Sequence, residues 1–162
     1  ELARESPTLR EQARSYFLRM QLITTHFHNI PESKIRIHLK IDRRKLAKRR
    51  FRATADDGTD FGFDLPHPLK HETPFYETDD SVYLIEQAPE PVLRIPIEDA
   101  EQAALYGWMV GNMHFPAAFE AGAILAEDDP AVRQMLERSN IAFEEATAVF
   151  QPPSNAAAHH HH

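Results

Sequence analysis

The sequence predicts an α+β protein, with a small N-terminal β-domain followed by a βαββαβ domain. Three observations carry this reading. Residues 34–41 alternate strictly between charged or polar and apolar side chains, as a half-buried strand does. The stretch Ala88-Pro-Glu-Pro91 interrupts the pattern with two prolines that stiffen the chain and exclude helix. Beyond it, strand-like and helix-like periods succeed one another in the order strand, helix, hairpin, helix, strand.

Residues 1–19 read as a helical N-terminal extension of unknown role, with Ser6 as N-cap, Pro7 at the first helical position and Leu9, Ala13, Tyr16 and Phe17 at roughly helical spacing. Residues 20–88 form the β-domain, with strands expected at 21–27, 34–41, 49–55, 60–65 and 81–86. Within it, Asp56-Asp-Gly-Thr59 fits a hairpin connection in which Gly58 supplies positive φ. The domain boundary falls at the proline-rich linker. A strand at 92–97 then leads into an amphipathic helix at 98–113, carrying Ala103, Ala104, Leu105, Trp108 and Met109. A hairpin at 117–126 turns near Ala121-Gly122, Pro130 opens a helix at 129–138, and a strand is expected at 141–150. This β-α-β-β-α-β order is the ferredoxin-like split unit, assigned here to residues 89–150. Residues 151–162 read as a disordered tail whose final Ala156-Ala-Ala-His-His-His-His162 is a purification tag without function.

Composition narrows the chemistry. The 162 residues contain no cysteine, so disulfides and thiolate zinc sites are excluded and any metal must be held by imidazole and carboxylate, which suits nickel, copper or zinc. No apolar run approaches the ~20 residues that span a bilayer and no signal-peptide pattern is present, which predicts a cytoplasmic protein without a membrane partner. The chain lacks a phosphate-binding Gly-Lys loop, a nucleophile elbow and a His-Glu-x-x-His helix. No catalytic residue is assigned, and the protein is not expected to be an enzyme.

Charge is uneven. The net charge is −7, yet Arg43, Arg44, Lys45, Lys48, Arg49, Arg50 and Arg52 crowd one short run, while the acids dominate residues 98–150. The run offers an alternative function, a protein- or nucleic-acid-interaction module using residues 43–52 with metal binding lost. A pI of about 5.8 and the absence of a nucleic-acid fold motif argue against a nucleic-acid partner. A charged strand edge that discourages aggregation is the simplest reading.

Outside the terminal run there are six histidines. His26 and His28 would share a strand face but have no third ligand nearby in sequence. His38 has the parity of Lys34, Arg36 and Lys40 and is expected to face solvent, and His67 and His71 flank a loop proline. No metal is assigned to these. His114 differs, because it ends the segment Gly107-Trp-Met-Val-Gly-Asn-Met-His114 just past a helix terminus. There Gly111 can turn freely and Asn112 tolerates left-handed geometry, so the imidazole should project into solvent.

That segment, with Gln87-Ala-Pro-Glu-Pro-Val-Leu93, Glu127-Asp-Asp129 before Val132-Arg-Gln-Met-Leu136, Thr54-Ala-Asp-Asp-Gly58 and Gly62-Phe-Asp-Leu-Pro66, resembles the UreE family of urease accessory proteins from about residue 20 to about residue 150. The resemblance implies a ferredoxin-like metal-binding domain and an N-terminal domain that contacts partners. It also implies a homodimer in which His114 meets its symmetry mate and binds Ni(II), with Cu or Zn as other occupants. The carried ion would pass to the accessory GTPase UreG and the urease activation complex. Apolar surface around Trp108, Met109, Met113 and Phe115 would drive dimerisation, Pro116 would fix the exit path, and Asn112 would shape the turn. The chain departs from the family pattern in two places. Met113 stands where many relatives have a basic residue, and Asp129-Pro130-Ala131 stands where relatives often have Asp-His-Val. With no interspersed His-rich tail visible, a single interfacial site per dimer is expected. Asp128 and Asp129 could supply oxygen ligands, but N-capping of the helix explains them adequately.

Overall fold

The structure, a computed structural model, describes residues 20–30 and 32–153. The helix expected at 1–19 and the His run at 159–162 lie outside the described residues. The chain divides into two compact units at the Ala88–Pro89 step. Among the described residues no helix is long and apolar enough to cross a membrane.

The N-terminal unit comprises β1 (Gln21–Ile23), β2 (Ile35–Ile41), the single helical turn α1 (Arg43–Leu46), β3 (Arg50–Thr54), β4 (Asp60–Asp64), β5 (Pro74–Glu77) and β6 (Ser81–Gln87). They form two three-stranded sheets with orders β1-β4-β3 and β2-β6-β5. In each sheet one pairing is parallel, β1 with β4 and β2 with β6. The alternation read at 34–41 puts Leu39 and Ile41 into the core, where they join Phe61, Phe63, Phe75, Tyr83 and Ile85. Phe61 is fully buried and meets Phe75 edge-on at 5.0 Å, while Phe51 stacks on Phe63 at 4.3 Å. Each fully buried ring contributes ~2–3 kcal/mol relative to an exposed one.

Three expectations need correction here. The strand foreseen at 21–27 ends at Ile23 opposite Phe63, because its partner β4 stops at Asp64 before Leu65-Pro66, and proline cannot extend a ladder. The basic run is not continuous strand edge. Asp42 accepts the Lys45 N–H at 2.8 Å and caps one helical turn that buries Leu46, and only then does edge strand β3 begin. Strand β5 was not foreseen, being four residues long, opened by proline and irregular between Pro74 and Tyr76.

The C-terminal unit comprises β7 (Glu90–Pro96), α2 (Ala100–Asn112), β8 (Ala117–Glu120), β9 (Ala123–Glu127), α3 (Pro130–Arg138) and β10 (Glu144–Ala148). Its four strands form one antiparallel sheet in the order β10-β7-β9-β8. Leu93, Ile95, Ile124 and Ala126 share the face on which the helices lay Val110, Val132 and Leu136. The opposite face gathers Val92, Ala118 and Leu125 under Phe150. Strand β7 starts two residues earlier than expected, so Pro91 lies within it. Pro91 pairs only with Thr147 of β10 and Pro96 only with Ala123 of β9, so each missing N–H falls where the ladder has one neighbour.

Candidate metal centre

Helix α2 starts where Asp99 accepts the Gln102 N–H at 2.8 Å and Gln102 in turn accepts the Glu98 N–H at 3.1 Å. A Cβ on its Gly107 would stand 3.4 Å from the Phe119 ring, in ordinary van der Waals contact. At its end the Phe115 N–H returns to the Val110 carbonyl (3.3 Å) and the His114 N–H to the Gly111 carbonyl (2.9 Å). This is the Schellman pattern, and it requires a left-handed residue just past the cap Met113. That residue is His114, with φ 63.

The expectation that Gly111 and Asn112 make the turn is therefore corrected. Both are within α2, and a Cβ on Gly111 would meet nothing within 4 Å. Phe115 lies five positions after Val110, the spacing of the hydrophobic clasp in this motif. With Val110 fully buried and Phe115 packed on the same core, the register puts the left-handed position on the histidine. A side chain there costs about 1 kcal/mol relative to glycine, although His is among the residue types that adopt this region most readily. The imidazole is exposed.

Of the apolar residues near it, Phe115 belongs to the unit's own core, Met109 and Met113 are partly buried, and Trp108 is 64% exposed. Leu105, one helical turn before Trp108, and Phe119 on β8 are also exposed large apolar side chains. Among the described residues, no set of three His, Asp or Glu ligands gathers around His114 within one chain. An imidazole alone binds a divalent ion weakly, so a metal held here would need ligands from elsewhere.

The neighbouring acids are engaged structurally. Asp129 accepts the Ala131 N–H at 2.8 Å and caps α3, with Pro130 at its first turn. Asp128 takes a two-pronged contact from Arg133, Nε at 2.6 Å and Nη2 at 2.7 Å, and these bonds hold its carboxyl below the usual carboxylate range. Arg133 also donates to Glu145, which ties α3 to β10.

The remaining histidines fall in distinct settings. His26 and His28 lie beyond the end of β1 with their rings edge-to-face at 5.0 Å. His67 is exposed, and His71 Nδ1 accepts the Gln87 N–H at 3.1 Å. His38 is brought together with Asp56 and Glu86, a grouping not foreseen because no sequence signal announces the parallel pairing of β2 with β6. In the basic run, Arg50 pairs with Asp64 at 2.7 Å across β3 and β4.

Residues 90–162 match the family described as UreE urease accessory protein, C-terminal domain. The chain is 30% identical over 128 residues to the urease accessory protein UreE of Acinetobacter baylyi, covering 78% of this chain and 79% of that one. It is 31% identical over 122 residues to the urease accessory protein UreE of Beijerinckia indica, covering 71% and 70%. The corresponding protein of a Ruegeria species is 29% identical over 144 residues, covering 86% and 79%.

Proposed function

The chain belongs to the UreE family of urease accessory proteins, a non-enzymatic family of urease maturation, and from this premise we propose that it carries Ni(II) at His114. In this reading two chains form a homodimer in the cytoplasm, their His114 imidazoles meet across the two-fold axis, and the ion passes to the GTPase UreG during assembly of the urease active site. One observation carries it. An exposed imidazole is held at a left-handed helix terminus, and the chain itself offers no completing ligand set there among the described residues. A two-fold axis doubles a lone ligand at no cost in sequence.

The chemistry suits a carrier. Two imidazoles give a borderline divalent ion such as Ni(II) moderate hold and leave positions open, so incoming ligands can attach before the carrier's own have left. Cu(II) and Zn(II) compete for the same donors. The exposed Leu105 and Trp108 supply apolar surface for the contact between copies.

The test is calorimetric titration of Ni(II) into the chain ending at Ala158, together with its oligomeric state, before and after His114→Ala. The expected result is a tightest step of one ion per dimer, abolished by His114→Ala while the dimer persists. A parent with no such step, or a step that survives the substitution, overturns the reading.

A further inference from the structure

We infer that His38, Asp56 and Glu86 form a second divalent-metal site, within the N-terminal unit and independent of His114. The backbone places all three residues. His38 lies on β2 and Glu86 on the adjacent parallel strand β6, where Lys40 and Glu86 are register partners, so His38 and Glu86 project from the same face two positions apart. Asp56 follows β3, and its N–H donates to the His38 carbonyl at 2.9 Å, which anchors the carboxylate beside the imidazole. His38 Nδ1 stands 3.1 Å from Glu86 Oε2, and one ligand atom from each residue lies within 4.8 Å of the others.

Three atoms bound to one first-row ion at ~2.0–2.2 Å stand ~3–3.5 Å apart. His38 and Glu86 already stand at that spacing, and Asp56, half-exposed at 49%, has the freedom to close on them. Charge points the same way. Two carboxylates beside a neutral imidazole leave two negative charges, opposed in the cluster by the Lys40 ammonium at 3.3 Å from Asp56. A divalent ion would displace that monovalent competitor. The Lys40–Asp56 ion pair and the His38–Glu86 contact it replaces are solvent-exposed and hold the fold weakly, so the exchange costs little. The donor set, one nitrogen and two oxygens, selects a borderline ion such as Ni(II) or Zn(II) over Mg(II), with water filling the remaining positions.

The site is tested on the chain ending at Ala158 with His114→Ala, titrated with Ni(II) and with Zn(II) alone and followed by calorimetry and amide NMR shifts. One ion per chain is expected, with shifts centred on residues 38, 56 and 86. His38→Ala and Glu86→Gln should each weaken binding about tenfold or more, a scale that even outer-shell partners reach, and Lys40→Gln should tighten it several-fold. Absence of binding, shifts centred on His26 and His28, or a smaller loss in either variant overturns the proposal. The parent's His114-dependent step is read separately, so either site can fail without the other.

Discussion

The two helices of the C-terminal unit end with the same device and differ in what they do with it. At α2 the Phe115 and His114 N–H groups return to Val110 and Gly111, and at α3 the Ile141 and Asn140 N–H groups return to Leu136 (2.9 Å) and Glu137 (3.1 Å). Each turn has one left-handed residue, His114 at φ 63 and Asn140 at φ 52. Asparagine is an ordinary occupant of this position, and α3 buries Val132 and Leu136 completely. At α2 the same backbone carries an exposed imidazole, and the helix leaves Leu105 and Trp108 at the surface while fully burying only Val110. Glycine and a polar outer face would satisfy the fold at α2. The histidine and the apolar face are surplus to folding, and they are what the proposed metal contact requires.

The contrast breaks first if burial does not follow it. Leu136→Ala should destabilise the chain by about 3 kcal/mol, whereas Trp108→Ala should change the stability of dilute, monomeric protein by less than about 0.5 kcal/mol. Urea unfolding of both variants compares them directly, and equal losses would mean that Trp108 is a core residue. Next, His114→Gly should raise stability by about 0.5–1 kcal/mol through relief of the left-handed strain while removing the tight Ni(II) step. Asn140→Gly should gain only a few tenths of a kcal/mol, and a destabilised His114→Gly would contradict the assignment of strain.

Gly111→Ala sharpens the comparison further. Because Gly111 is helical with open space around it, alanine should stabilise by about 0.5–1 kcal/mol; a loss would return the turn to Gly111. The smallest effect concerns how the helices begin. Helix α3 is tied down by the Arg133 contacts to Asp128 and Glu145, whereas α2 starts on the Asp99 and Gln102 side-chain bonds. The lowered Asp128 pKa means its contribution is present above the ordinary value of 3.8 and is lost as pH falls through the lower folded-state value. Asp128→Asn should therefore lose stability at pH 7, and its difference from the parent should shrink as pH falls below 3.8.

Much of this fold was legible because its signals are local. Alternation marked β2, Gly122 marked the hairpin between β8 and β9, and Asp129-Pro130 marked the start of α3. The family resemblance rested on short motifs and is matched by relatives over most of the chain. What escaped is non-local or a matter of register. The grouping of His38 with Asp56 and Glu86 depends on parallel pairing, which leaves no turn signature between the paired strands. The left-handed residue was assigned to glycine and asparagine by propensity, although the five-residue spacing of Val110 and Phe115 already pointed to His114. The edge position of β3 agrees with the charged-edge reading of the basic run, but the Asp42-capped turn inside that run needed a capping reading that the charges obscured.

The parallel pairing of β2 with β6 also sets an order of events as the chain folds. Ile35 finds its partner at Ser81, so the second sheet of the N-terminal unit cannot close until the segment ending at Gln87 is available. In the C-terminal unit the β8 and β9 hairpin closes over a two-residue turn, but β7 gains its other neighbour only when β10 arrives and Glu90 pairs with Ala148. Loop closure is slower for contacts distant along the chain, and the topology therefore predicts that the hairpins form first in both units while β2 with β6 and β7 with β10 pair on a slower phase. Exchange protection during refolding, early at β9 and late at β2 and β10, checks this order.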